Sequence, residues 1–89
     1  MPEPDPAAIR AAVLEVVENQ LRDGTPPEAK QAFERLTTLG YTPQESRRLI
    51  GVLVAREIFE ALKYKTPYDG ARYAAALQQL PELPEDLRE

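Results

Sequence analysis

The chain is predicted to be all-α: a compact four-helix domain around a long central third helix, with short connections and a flexible acidic C-terminal tail. Three observations predict it. Apolar residues recur at spacings of three, four and seven, the period at which a helix presents one face. Threonine, aspartate, proline and glycine fall between those stretches, where helix starts and stops call for them. The stretch Thr42 to Tyr64 is apolar around most of its circumference, as expected of a helix buried from several directions.

The first helix is predicted over 6–23, with Asp5 as N-cap, Pro6 at the first helical position and Gly24 as the stop. Ile9, Val13, Val16, Val17 and Leu21 define its inner stripe. Thr25-Pro26-Pro27-Glu28 reads as a capping box that starts a second helix over 26–39. Ala29, Ala32, Phe33 and Leu36 face inward there, and Gly40 closes the helix in a left-handed conformation with Tyr41 packing back.

Thr42-Pro43-Gln44-Glu45 repeats the start signal for the central helix, 43–64. Leu49, Ile50, Val52, Leu53, Val54, Ala55, Ile58, Phe59, Ala61 and Leu62 carry its apolar surface. Arg48, Arg56, Glu57, Glu60 and Lys63 are expected on the wetter side. Gly51 inside it costs about 1 kcal/mol relative to alanine, which a close helix crossing would explain, a tolerated surface glycine being the other reading. Lys65-Thr66-Pro67 makes a turn, because the residue before proline is driven out of the helical region. Asp69 caps the last helix, 70–80, with Tyr68 and Tyr73 as a hydrophobic staple, and Tyr73, Ala74, Leu77 and Leu80 facing inward. Residues 1–80 make the domain. PELPEDLRE beyond it is expected to form at most a short turn, pinned only by Leu83 and Leu87.

Composition narrows the function. Eighty-nine residues allow one domain, burying roughly 60 to 65% of its unfolded surface, so a partner surface would add stability. With no cysteine or histidine, disulfide scaffolds, zinc fingers and Ser-His or Cys-His pairs are excluded. The net charge of -4 is uneven: four acids against Arg88 give residues 81–89 a charge of -3 and leave residues 1–80 at -1. Such a body lacks the basic patch that nucleic acid or anionic lipid requires. MPEPDPAA reads as neither a signal peptide nor a mitochondrial leader, and no apolar run is long enough to span a membrane. A cytoplasmic location is the expectation.

The string PPEAKQAFERLTTLGYTPQESRRLIGVLV, residues 26–54, resembles a group of small, functionally uncharacterised bacterial helical proteins. They tend to share its Pro-Pro-Glu start, Gly-Tyr-Thr turn and apolar helix ending near an aromatic-Asp turn like Tyr68-Asp69. Leu36 to Val54, with the turn Leu39-Gly40-Tyr41, also resembles the first two helices of ubiquitin-associated-type domains and of the RuvA C-terminal domain, with Ser46 where alanine is usual. That likeness implies binding to protein partners and no reaction.

Two constellations invite chemistry. Glu15 with Glu18, and Glu57 with Glu60, each share a helix face; on adjacent helices they could hold Mg²⁺ or Mn²⁺ and serve a metal-dependent hydrolase of phosphate compounds. The plainer reading is ordinary solvated glutamates, each pair bordered by an arginine, Arg22 or Arg56. No catalytic residue and no cofactor are expected on that reading, which makes the chain a structural or protein-interaction domain. Self-association as a homodimer is expected through the central helix, with Arg48, Gly51, Val52, Ala55, Arg56 and Phe59 as candidate interface residues, a monomer and a different protein partner being the alternatives.

Overall fold

Each helix starts and stops where local chemistry satisfies its end groups. A computed structural model describes residues 5–88, so the opening MPEP and Glu89 used in the charge reading lie outside the described residues. Four α-helices follow one another: α1 Pro6–Asp23, α2 Pro27–Thr38, α3 Pro43–Tyr64 and α4 Gly70–Gln79, then a 3₁₀ turn Glu85–Leu87. Asp5 accepts from the Ala7 N–H, and Gly24 closes α1 in the left-handed region at φ 67°. Thr42 and Glu45 form the reciprocal capping box of α3, at 3.0 and 2.9 Å. Asp69 accepts from the Arg72 N–H at 3.0 Å, and the Tyr68 and Tyr73 rings meet edge to face, 5.8 Å apart.

The start of α2 departs from expectation. Pro26, not Thr25, is the N-cap, and no side chain caps the helix. Pro27 drives Pro26 out of the helical region, to φ -73° and ψ 153°, so the helix cannot begin until Pro27. Thr25 is thereby one position too early to reach the first-turn N–H groups. Its hydroxyl turns back to the Asp23 carbonyl.

Both α2 and α3 touch every other helix, and the core lies between them. Val17 of α1, Ala29, Ala32 and Leu36 of α2, Ile50, Leu53 and Val54 of α3, and Tyr73, Ala76, Leu77 and Leu80 of α4 are buried together. Helix α1 runs antiparallel to α3: Val13 lies over Gly51, whereas Glu18 pairs with Arg47 further back along α3. A Cβ on Gly51 would stand 3.2 Å from Val13 Cγ1, so the glycine marks a close helix crossing. Tyr73 reaches across from α4 and donates to Gln20 of α1 at 2.6 Å.

The tail packs on the body through the two leucines expected to pin it, with the short turn Glu85–Leu87 between Pro84 and Arg88. Arg35 of α2 donates to the carbonyls of Leu77 and Leu80 at 2.7 and 2.9 Å, adding to the bond that the Leu80 N–H already makes to Leu77 and supplying a donor to the Leu80 carbonyl at the end of α4. Pro81 turns the chain back, Leu83 and Leu87 pack against the core, and Asp86 accepts from Arg56 at 3.1 Å. Two apolar anchors with an ion pair between them hold this segment to the body.

Candidate functional site

The C-terminal half of α3 carries charge on its inside. Ile50, Leu53, Val54 and Glu57 follow at i, i+3, i+4 and i+7, so Glu57 falls on the core-facing stripe, with Arg56 beside it. Only 2% of Glu57 and 8% of Arg56 is exposed, which corrects the assignment of both to the wetter side. Their burial is possible because partners arrive from elsewhere in the chain. Glu57 Oε2 accepts from Arg56 Nε and Nη2 at 3.1 and 3.0 Å and from Arg72 Nε of α4 at 3.0 Å. Asp86 of the tail takes Arg56 Nη1, so two guanidinium groups and two carboxylates balance across three elements.

Sequence reasoning missed Arg72 and Asp86, which lie far from Arg56 along the chain. The i+7 position of Glu57 in an apolar stripe was the available signal that a partner had to exist.

Beside this network a groove of about 540 Å³ opens between the end of α3 and the start of α4. Glu57 forms part of its wall, Glu60, Tyr64, Tyr68, Asp69 and Arg72 surround it, and Ala61 and Pro67 add an apolar side. The turn that shapes it begins at Lys65, which closes α3 in the left-handed conformation at φ 53°. Burial, and secondarily the charge of Glu57, pushes the Tyr68 hydroxyl up to about 12. Burial raises Tyr73 as well.

The outer side of α3 is the reverse of the inner. Phe59 is 55% and Leu62 70% exposed, and Val52 and Ile58 are exposed too. Of the interface candidates, Arg48, Val52 and Phe59 lie in solvent and Ala55 is half-buried. Gly51 and Arg56 do not belong with them, because α1 covers the first and the ion network encloses the second.

The glutamate pairs are not brought together. Glu18 is engaged by Arg47 of α3, and Glu57 by Arg56 and Arg72. Among the described residues no three carboxylates, histidines or cysteines converge as a metal site would require, and no helix is long and apolar enough to cross a membrane. No family model matches the chain, and neither a curated protein nor a solved structure is significantly similar to it.

Proposed function

We propose that the chain is a non-enzymatic protein-interaction domain that pairs with a second copy of itself through the outer face of α3. The spacing of that face carries the reading: Val52, Ala55, Phe59 and Leu62 follow at intervals of three, four and three, the seam along which two helices pack. In an antiparallel pair centred level with Glu57, Val52 meets Leu62 of the second copy and Ala55 meets Phe59. Each small side chain then faces a large one. Like charges stay apart in this register, with Arg48 level with Thr66 and Lys63 level with Gly51.

The patch formed with Ile58 exposes on the order of 350 Å² of apolar surface, within the range of the largest patches on monomers. A stable interface takes about 800 Å² from each partner, so association should be weak and concentration-dependent. Sedimentation equilibrium between about 10 μM and 1 mM tests it. The expected mass rises from 10.0 kDa toward twice that, and Val52→Glu abolishes the rise. A single 10.0 kDa species over the whole range overturns the proposal.

A further inference from the structure

The tail and the surface beneath it meet as two separate, complementary pieces. Past Glu82 the tail bonds to itself: Arg88 Nε donates to the Leu83 carbonyl at 2.8 Å, the Leu87 N–H to Pro84 and the Arg88 N–H to Glu85. Among the described residues, the one hydrogen bond that ties residues 83–88 to the body runs from Arg56 Nη1 to Asp86. The rest of the attachment is apolar, through Leu83 and Leu87, both only half-buried. A segment folded on itself and held by three side chains can leave as a unit, since lifting it breaks no backbone ladder. Its root stays in place, because Leu80 is buried and Arg35 holds the Leu80 carbonyl.

The covered surface has a definite character. Beside the tail a recess of about 280 Å³ remains open, lined on the body side by Arg56, Arg72, Ala75, Ala76 and Gln79. The tail therefore does not fill its seat. With Asp86 lifted away, the seat keeps the guanidinium groups of Arg56 and Arg72 around the single carboxylate of Glu57, a net positive charge. Arg56 Nη1 then loses its carboxylate partner beside a wall of alanines. Such a surface favours an incoming acid flanked by apolar groups, which is the chemistry of the segment that covers it now.

We propose that this surface is a docking site for a segment of another protein that carries an acid between two leucines four residues apart, and that the tail occupies it in the same chain as a displaceable plug. The seated segment defines the partner: leucines take the places of Leu83 and Leu87, and a carboxylate takes the place of Asp86. The site lies apart from the pairing seam of Val52 and Leu62 and does not depend on it.

The probe is the acetylated and amidated peptide PELPEDLRE, residues 81–89, titrated into the ¹⁵N-labelled full chain. The tail is unseated in the double variant Leu83→Ser with Leu87→Ser, and loosened in the milder Asp86→Ala. In the double variant the peptide is expected to shift the amide resonances of Arg56 and of Ala75 to Gln79, with a dissociation constant of about 1 mM or tighter. Binding to the parent should be about tenfold weaker, and binding to Asp86→Ala intermediate, because a docked tail lowers the fraction of the chain that can bind. A peptide carrying Asp86→Lys should produce no such shifts. If circular dichroism shows that the double variant has lost its helices, the difference between Asp86→Ala and the parent, about threefold, decides alone. Equal affinity for the parent and the variants overturns the proposal, as does failure of the peptide to bind either variant or undiminished binding of the Asp86→Lys peptide. If Asp86→Ala removes the concentration-dependent rise in mass, as Val52→Glu is expected to, the occupant is the tail of a second copy and the assignment to another protein falls.

Discussion

Arg56 and Glu57 lie inside this protein, whereas Phe59 and Leu62, less than two turns further along the same helix, stand in solvent. The contrast teaches that burial along α3 is decided by where its neighbours lie, with side-chain polarity overridden. At 1.5 Å per residue the 22 residues of α3 extend about 33 Å, and the 10-residue α4 with the tail covers only the side that Glu57 and Arg56 occupy. Charges tolerate that cover because Arg72 and Asp86 complete their hydrogen bonds. Apolar groups on the other side are left with nothing to pack on.

The largest effect should come from breaking the charged side. Glu57→Ala leaves Arg56 enclosed with only Asp86 as an ionic partner, and is expected to cost about 3–5 kcal/mol in a urea melt. Replacing the pair together, Arg56→Met with Glu57→Leu, should recover most of that loss, since it removes both desolvated charges. A loss under 1 kcal/mol for Glu57→Ala would mean that the side chain is solvated and that the contrast between the two faces is wrong.

A smaller effect tests the boundary between the faces. Gly51 faces α1, and Gly51→Leu forces a side chain against Val13 and Val17, for an expected loss of about 1–3 kcal/mol measured by the same melts. Here the sequence was half legible. A glycine within an apolar helix signalled either a crossing or a tolerated surface position, and only the partner helix could decide between them. The four helices themselves were legible because caps, prolines and periodicity agreed: α1 and α3 begin and end as read, and α2 and α4 differ by one residue at their ends. The ion network was not, since its members are 15 and 30 residues apart and no local pattern joins them. The groove stayed hidden for the same reason.

The two Thr-Pro starts separate a legible signal from a misread one, and the second of them marks the other end of α3. Thr42→Ala should cost about 1 kcal/mol, because the Glu45 N–H loses its acceptor, while Thr25→Ala should change stability by no more than a few tenths. Acid reports on the same cap. Hydrogen bonds from Thr42, the backbone N–H first, hold the Glu45 carboxyl below the ordinary glutamate range, so the unfolded chain takes up the proton before the folded one. Its contribution is complete above the ordinary value and fades as pH falls through the lowered one; in Thr42→Ala that share of the acid dependence should be reduced.

The smallest effect on the fold should come from the outer face, and it completes the comparison. Leu62 is 70% exposed, and leucine and glutamine have similar helix propensities, so Leu62→Gln should leave the unfolding free energy of a dilute sample, from urea melts, within about 0.5 kcal/mol of the parent. The same substitution puts an amide where the proposed pairing sets Leu62 against Val52 of a second copy. At concentrations where the parent associates, the variant should remain at 10.0 kDa and lose whatever extra stability the parent gains there. A loss well above 1 kcal/mol in dilute solution would show that Leu62 packs within the monomer, and the outer face would then belong to the core instead of to an interface.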